Sequence, residues 1–285
     1  MCAPTCAPTC THQDHGQSAP DRIRGTRARP SRRHVLALMG GTGLLAACSA
    51  EQLGGLNLVP ERQVDQMGAV QWRQILAQQP VSRDPEANAV VRRIAARIVR
   101  AAGGDPGNWE VAVFEDRSPN AFALPGGKIG VHTGLMRLAE NEDQLASVIG
   151  HEVGHVVAEH SKERVNAQAA TKIGSQIAGV ALGAAGLPAG PEMAALLGAG
   201  AQYGLILPFS RNHELEADRL GIEYMARAGY DPNAAVEFWR RMTAATQRQG
   251  RPPEWMSTHP SDERRIAQLE ELAEQAEALR PNRRR

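Results

Sequence analysis

The segment 141–164, NEDQLASVIGHEVGHVVAEHSKER, constrains the fold most, because it combines an apolar helical pattern with closely spaced histidines. Asn141 followed three residues later by Gln144 predicts a helix that begins with a capping box. The apolar residues after it recur at helical spacing and predict a largely buried helix. They are Leu145, Val148, Ile149, Val153, Val156 and Val157. Any fold of this chain must therefore be built around a buried helix that also carries polar side chains.

His151 and His155 lie four residues apart in this helix. Four residues advance a helix by about 400°, so the two imidazoles share one face, about 6 Å apart along the axis. Two rings at this spacing can each present a nitrogen to one zinc ion. Glu152 lies about 100° around the helix, where its carboxylate can take a proton from zinc-bound water. Gly150 and Gly154 leave room for another segment to approach closely.

The H-E-x-x-H motif alone is a hypothesis, because it arises by chance roughly once in a hundred chains of this length. The alternative is a pair of ordinary histidines beside a surface glutamate. Apolar residues flank the motif on both sides, which is unusual for a surface helix. The flanks therefore favour a metal site over the alternative.

Residues 1–47 have the features of an export signal. Ser31-Arg32-Arg33 is followed by an uncharged run that ends in Leu45-Ala46-Ala47-Cys48. A basic region, a short apolar segment and small residues before the cleavage point indicate a signal peptide. The ending matches a bacterial lipobox, in which Cys48 carries lipid. The arginine pair indicates the twin-arginine route, but Val35 replaces the usual Phe, so the Sec route stays open. A disordered basic arm before a core helix is the alternative.

All four cysteines lie at or before the predicted cleavage point: Cys2, Cys6, Cys10 and Cys48. The mature chain, residues 48–285, is therefore predicted to contain neither a disulfide nor a cysteine nucleophile. The spacing of the first three cysteines matches no zinc motif and is more typical of a leader extension. The formal net charge of +1 gives no indication of nucleic-acid binding.

One α+β domain, predominantly helical, is predicted over residues 61–280. Residues 48–60 would tether it to the lipid anchor, and residues 281–285 form a basic tail. Helical periodicity covers 62–79 and 84–102. The domain is therefore expected to begin with two helices.

A small β-sheet is predicted beside the zinc helix. Residues 109–116 alternate in polarity and predict a strand, and 120–132 predict a hairpin that turns at Pro125-Gly126-Gly127. An extended peptide can add to the edge of such a sheet as a further strand. The edge residues are Asn120, Phe122 and Ala123. An ordinary hairpin without a binding role explains the pattern equally well.

The segment 166–207 is rich in alanine and glycine and carries only Lys172 and Glu192 as charges. It predicts a buried helical hairpin, with a mobile lid or a membrane-contacting surface as alternatives. Further helices are predicted from Ser210 to Gly229, over 231–249, and from His259 to about residue 280.

A catalytic zinc needs three protein ligands and one open position, and without a usable cysteine the third ligand must be a histidine or a carboxylate. Glu214 and Asp218 are spaced i, i+4 and share a helix face. One of them can bind the metal while the other accepts the distal N–H of a ligating imidazole. Glu216 points about 200° away from Glu214 and is a weaker candidate. An acidic helix start, favourable with the helix dipole, is the alternative.

Three further motifs accompany H-E-V-G-H: N-A-F-A-L-P-G-G-K-I-G-V-H-T-G-L from Asn120, S-R-N-H-E-L-E-A-D-R-L-G from Ser210, and S-T-H-P-S-D-E-R-R-I from Ser257. Together they resemble the HtpX/Ste-type zinc metalloprotease family, a gluzincin family, over about residues 60–275. The length and the lipobox resemble its periplasmic lipoprotein branch, the LoiP and BepA group, which is akin to Oma-type proteases. The resemblance implies a zincin-like metalloprotease domain.

Position by position, the resemblance implies that His151, His155 and Glu214 bind one zinc ion (Zn²⁺). It makes Glu152 the general base. Asp218 becomes the hydrogen-bond partner of a ligating imidazole.

The resemblance also implies roles for two residues near the C-terminus. His259 matches a His-Pro element that in some family members reaches the metal and occludes it. Arg265 matches the arginine of that element and is expected to face the cleft. In the implied mechanism, Glu152 removes a proton from zinc-bound water, whose pKa zinc lowers to about 7, and later protonates the leaving amine. His259, Arg265 or Tyr203 would supply a donor for the oxyanion.

The implied function is that of a zinc-dependent endopeptidase of the bacterial cell envelope, which cleaves unfolded or misassembled envelope and outer-membrane proteins. Its expected location is the periplasm, with the lipid on Cys48 as membrane anchor and the outer membrane favoured by Ser49. Unfolded polypeptides are the expected substrates and the envelope assembly machinery an expected partner. The alternatives are a chaperone or assembly factor that uses the same fold without catalysis, and an unrelated helical lipoprotein with a chance motif.

Overall fold

The computed structural model describes residues 57–184, 209–249, 254–259 and 263–281. The predicted signal peptide, Cys48, most of the tether and Tyr203 lie outside these residues. So do the second half of the alanine- and glycine-rich segment and most of the basic tail.

The described residues form a predominantly helical α+β fold, as the sequence predicted. The helices are α1 (Glu61–Gln78), α2 (Pro85–Ala101), α3 (Thr133–Leu138), α4 (Glu142–Val157), α5 (His160–Ala184), α6 (Arg211–Arg227), α7 (Asn233–Gln249), α8 (Glu254–Thr258) and α9 (Glu263–Ala276). The strands are β1 (Glu110–Phe114), β2 (Ala121–Leu124) and β3 (Lys128–His132). Short 3-10 turns cover Pro106–Asn108 and Glu277–Leu279.

The three strands form one sheet in the order β1-β3-β2. Strand β3 pairs in parallel with β1 and antiparallel with β2, which places Phe122 opposite Gly130. The hairpin between β2 and β3 turns at Gly126 and Gly127, whose φ angles are 75° and 73°, a conformation that glycine adopts without steric penalty. The predicted hairpin is confirmed, and β2 is an edge strand of this sheet.

Helix α4 lies almost backbone to backbone against α6. A Cβ atom on Gly150 would lie 2.8 Å from the carbonyl oxygen of Gly221, and one on Gly154 would lie 2.9 Å from that of Ala217. Side chains at these positions would force the helices apart. The two glycines therefore allow the close approach that the sequence predicted.

The hydrophobic core surrounds α4. Buried side chains from α2, the sheet, α4, α6, α7 and α9 form one cluster that includes Ile98, Ile149, Met225, Phe238 and Leu269. At its N-terminus, the Asn141 side chain accepts a hydrogen bond from the Gln144 N–H at 2.9 Å. The cap and the surrounding core set the position of the helix and of its histidines.

Two features of the described chain were not predicted. Helix α4 ends at Val157, and Glu159, whose φ of 56° lies in the left-handed region, separates it from α5. The short helix α8 precedes the last helix, and the His259 N–H donates to the Trp255 carbonyl at 2.9 Å. His259 therefore follows the end of α8, whereas the sequence placed it at the start of the last helix.

Helix α5 enters the alanine- and glycine-rich segment and is described as far as Ala184. Among the described residues, no helix combines the length and the apolar character that crossing a membrane would need.

Candidate metal centre

Two helices bring three side chains with metal-binding atoms together. His151 and His155 project from α4, and their Nε2 atoms lie 3.0 Å apart. Glu214, in the first turn of α6, places Oε2 3.5 Å from His151 Nε2 and Oε1 3.4 Å from His155 Nε2. All three side chains are buried. The packing of α4 on α6 thus joins groups that the sequence could place only on separate helices.

His259 adds a fourth side chain to this group. Its Nδ1 atom lies 2.9 Å from Glu214 Oε1 and 3.2 Å from His151 Nε2. One ligand atom from each of the four residues lies within 4.8 Å of the other three. Within the described ranges, these residues form a compact set of three imidazoles and one carboxylate.

The chemistry of this set fits zinc, which favours imidazole nitrogens and carboxylate oxygens. The carboxylate of Glu214 is buried, and Arg265 Nη1 lies 2.6 Å from its Oε2 atom as an ion-pair partner. The Nε2 atoms of His151 and His155 lie 3.0 Å apart, and each also lies within 3.5 Å of a Glu214 oxygen. The donor atoms that one metal ion would need are therefore already close to one another.

Burial and charge shift the pKa values of these groups. Burial lowers the pKa of His151, but hydrogen bonds to Asp218 and Glu214 outweigh this effect and raise the pKa to about 9. Burial lowers the pKa of His155 well below its ordinary value. For Glu214, the effect of burial is outweighed by His259 and the other two histidines, which hold its pKa well below the ordinary value. Glu214 is therefore an ionised carboxylate at neutral pH.

Both carboxylate oxygens of Glu152 are held by neighbouring segments. The indole Nε1–H of Trp255 donates to Oε1 at 2.8 Å, and the backbone N–H of Ala123 donates to Oε2 at 3.0 Å. His259 Nε2 lies 3.4 Å from Oε1. The carboxylate predicted to act as the base thus lies between the edge strand β2, helix α8 and the four-residue group.

Asp218 contacts His151 on the side away from Glu214. Its Oδ1 atom lies 2.8 Å from His151 Nδ1, and Arg265 donates to both oxygens, through Nε at 2.6 Å and Nη2 at 2.8 Å. The guanidinium carbon of Arg265 lies 4.1 Å from the centre of the Trp239 ring. Burial raises the pKa of Asp218, but the charge of Arg265 outweighs this effect and lowers the pKa below its ordinary value.

Arg265 is itself buried, with 3% of its side chain exposed. The family resemblance led us to expect that this arginine faces the cleft. In the structure its guanidinium lies between Asp218 and Glu214, where it neutralises two buried carboxylates.

The Nδ1 atom of His155 lies 2.9 Å from Nδ1 of His160, the first residue of α5. The Nε2 atom of His160 lies 3.3 Å from Glu216 Oε2. Burial lowers the pKa of His160, and the charge of the nearby His213 lowers it further, to about 4. The ring is therefore neutral. The Phe209 ring stacks on His155 with 4.0 Å between centroids.

Sequence reasoning did not single out His160, Trp255 or Phe209. His160 is the third histidine of the segment 151–160, but it lies five residues after His155, a spacing that a continuous helix does not place on the same face. Trp255 lies four residues before His259 and belongs to the unpredicted helix α8. A third histidine near the motif was the one signal available.

The three predicted edge residues differ in their backbone contacts. The carbonyl of Asn120 accepts from the His132 N–H at 2.9 Å. The ring of Phe122 lies over Gly130, where an added Cβ would be 2.3 Å from it. Of the three, Ala123 is the residue whose N–H contacts Glu152.

A predominantly helical α+β domain, with H-E-x-x-H on one helix and a glutamate ligand candidate on a second, defines the zincin-like class of metallopeptidase folds. The chain belongs to peptidase family M48, whose family model matches residues 82–273. The family expected from the sequence motifs is therefore confirmed.

Curated relatives come from a fungus, bacteria and animals. The chain is 42% identical over 190 residues to the mitochondrial metalloendopeptidase OMA1 of Schizosaccharomyces pombe, covering 67% of this chain and 54% of that protein. It is 34% identical over 216 residues to the beta-barrel assembly-enhancing protease of Escherichia coli K12, covering 74% and 44%. It is 33% identical over 201 residues to the mitochondrial metalloendopeptidase OMA1 of Bos taurus, covering 67% and 38%. The matches thus span about half of these relatives or less.

Proposed function

We propose that the chain is a zinc-dependent endopeptidase of the bacterial cell envelope, which cleaves unfolded or misassembled envelope proteins. The observation that carries the proposal is the position of Glu152, whose carboxylate lies between the four-residue group and the edge strand. A base placed there can serve a peptide bound along β2. Membership of a peptidase family and the names of the endopeptidase relatives support hydrolysis of peptide bonds.

In this proposal His151, His155 and Glu214 would hold the zinc ion. When bound, zinc acidifies a water molecule and polarises the substrate carbonyl. Glu152 takes the proton from the attacking water and delivers it to the leaving amine. The hydrogen bonds from Trp255 and Ala123 hold the Glu152 carboxylate at the site before the substrate arrives.

The substrate would add to the edge of β2 that faces away from β3, as an antiparallel or parallel strand. Because Asn120 bonds inward to β3, the alternation of an antiparallel ladder directs the backbone groups of Phe122 inward as well. The backbone groups of Ala121 and Ala123 then point away from β3, and the Ala123 N–H donates to Glu152. A substrate carbonyl would replace Glu152 on this N–H and so release the carboxylate for proton transfer.

His259 is proposed to occupy the fourth position around the metal in the resting enzyme and to leave before substrate binds. Its contacts with Glu214, His151 and Glu152 support this role. The alternative is that His259 donates a hydrogen bond to the oxyanion. Arg265 is proposed to orient Asp218 and Glu214, because its donors already contact these two carboxylates.

The lipid anchor at Cys48, after removal of residues 1–47, would place the domain 61–280 in the periplasm, with the outer membrane favoured. The name of the Escherichia coli relative, a beta-barrel assembly-enhancing protease, supports envelope proteins as substrates and assembly machinery as a partner. Labelling with palmitate tests the anchor, since wild type should take up the label and Cys48→Ala should not.

The central proposal is tested with the wild type and Glu152→Gln. We expect both proteins to bind one zinc ion per chain, and only the wild type to cleave casein, because Glu152 is a base and not a ligand. Glu223→Gln, on the outer face of α6 and ion-paired with Arg227, is the matched control and should cleave normally. Loss of zinc from Glu152→Gln would contradict its role. A wild type that binds zinc and unfolded chains without cleaving them would support the chaperone alternative instead.

A further inference from the structure

The two histidines of α4 have different partners on the ring nitrogen that faces away from the metal-binding group. His151 Nδ1 contacts a carboxylate directly, at 2.8 Å from Asp218. His155 Nδ1 instead contacts another imidazole, at 2.9 Å from His160 Nδ1, and His160 Nε2 faces Glu216 at 3.3 Å. An imidazole and a carboxylate thus follow His155 in series.

The hydrogen bonds from His155 to His160 and from His160 to Glu216 can all run in the same direction. If His155 binds metal through Nε2, its remaining hydrogen is on Nδ1 and must be donated to His160 Nδ1. A neutral imidazole has one donor and one acceptor nitrogen, so the hydrogen of His160 is then on Nε2. That nitrogen faces the Glu216 carboxylate at 3.3 Å, whose oxygen accepts the hydrogen bond. Glu216 therefore selects the tautomer of His160, which selects that of His155.

The backbone is bent to make this contact. On a continuous helix, a residue five positions after His155 would lie about 140° around the axis and could not meet its ring. The chain instead breaks after α4 at Glu159, whose φ is 56°. This conformation is uncommon for a residue with a side chain, and it directly follows the C-cap residue Ala158, a position at which it commonly ends a helix. The break turns His160 back onto His155.

We infer that His160 and Glu216 are positioning residues for His155, which hold its ring and its tautomer so that the Nε2 lone pair faces the metal. The inference rests on the proposed function, because it assumes that His155 is a metal ligand. It gives a role to Glu216, which lies two residues from Glu214 on α6 but points to a different neighbour.

A second histidine and carboxylate pair beside the first provides a matched control. The His213 ring stacks on His160 with 4.3 Å between centroids, and His213 Nε2 lies 2.9 Å from Glu163 Oε2. The side chains of Glu163 and Glu216 are exposed to similar extents, 44% and 49%. Among the described residues, no hydrogen bond joins His213 to one of the four residues of the metal group. Of the two pairs, only that of His160 and Glu216 contacts His155, through His160.

Zinc affinity of the full chain, measured by competition with a chelator, tests the inference, with thermal unfolding of the metal-free protein as a measure of the fold. His160→Leu should weaken zinc binding by about 10–100-fold, the usual effect of losing the partner of a ligating histidine. His160→Gln should recover most of this loss, because its side-chain carbonyl can accept the hydrogen of His155 Nδ1. Glu216→Ala should weaken binding by roughly tenfold, and Glu163→Ala by less than about twofold.

Cobalt(II) replaces zinc as a spectroscopic probe in the same proteins. We expect the visible absorption of the bound cobalt to change in Glu216→Ala and to match wild type in Glu163→Ala, because only the former removes support from the ligating His155.

Equal zinc affinities of Glu216→Ala and Glu163→Ala would overturn the inference, as would His160→Gln binding zinc no better than His160→Leu. If His160→Leu fails to fold, the two glutamate variants decide the matter, since both change exposed carboxylates. A wild type that binds no zinc would reject the proposed function itself, whereas normal zinc binding in every variant would reject only the positioning role.

Discussion

His151 is supported from the core by Asp218 and Arg265, whereas His155 is supported from the surface by His160 and Glu216. The core side consists of a carboxylate and a guanidinium that are both 3% exposed and joined by two hydrogen bonds. The surface side ends in a carboxylate that is 49% exposed. Two equivalent positions of one motif therefore depend on two different kinds of electrostatic support.

The difference follows from the cost of burying charge. An ionised carboxylate removed from water needs a paired cation and full hydrogen bonding, and Arg265 supplies both to Asp218. Glu216 keeps part of its hydration and needs no such partner, but an exposed pair contributes only about 0–1 kcal/mol. The core side is therefore expected to determine stability as well as metal affinity, and the surface side to act on metal affinity alone.

Glu214 contacts both histidines, so Glu214→Ala should remove the group at which the two sides meet. We expect the largest effect here, with loss of stoichiometric zinc. Removing a ligand should lower zinc affinity by more than the factor of about 10–100 that is lost with the hydrogen-bond partner of a ligand. Metal analysis after dialysis measures it. Glu216→Ala is the control and should still contain zinc at saturating concentration. A Glu214→Ala protein with one zinc per chain would show that the third ligand lies elsewhere.

Arg265→Met should break the core side and leave the contact between His160 and Glu216 in place. It leaves the buried Asp218 and Glu214 without their cation, and breaking a buried ion pair costs about 3–5 kcal/mol. Urea denaturation of the metal-free protein measures the free energy of unfolding. Arg240→Met, which removes an exposed ion pair with Glu270, is the matched control and should change it by less than about 1 kcal/mol. Equal effects of the two changes would remove the distinction between core and surface.

Asp218→Asn and Glu216→Gln sharpen the comparison, because each removes one charge with little change of shape. We expect zinc affinity to fall toward the upper end of about 10–100-fold for Asp218→Asn and toward the lower end for Glu216→Gln. The reason is that Asp218 contacts its histidine directly, whereas Glu216 acts through His160. Chelator competition measures both, and the opposite order would show that the surface side dominates.

His259→Ala has the smallest expected effect on the metal. His259 contacts Glu214 and the Nε2 atom of His151, but if it only closes the fourth position, zinc should stay bound after its removal. Casein cleavage should then become faster than in the wild type. Slower cleavage with zinc retained would instead make His259 a donor to the oxyanion.

The sequence predicted those parts of the fold and site that depend on short-range regularities. Helical spacing placed His151 and His155 on one face, and the turn residues Gly126 and Gly127 predicted the hairpin that makes β2 an edge strand. Helix α8 was missed, because five residues with two adjacent apolar side chains, Trp255 and Met256, form too short a pattern. The break at Glu159 was missed as well, since no glycine or proline marks it.

The local sequence thus determined which side chains share a helix face, because 3.6 residues per turn is a property of the backbone. Tertiary structure decided which faces meet. Glu152 is held by Trp255, 103 residues away, and His151 by Asp218, 67 residues away. Contacts over such separations depend on the packing of the whole core, in which Gly150 and Gly221 let α4 and α6 approach until their polar faces converge.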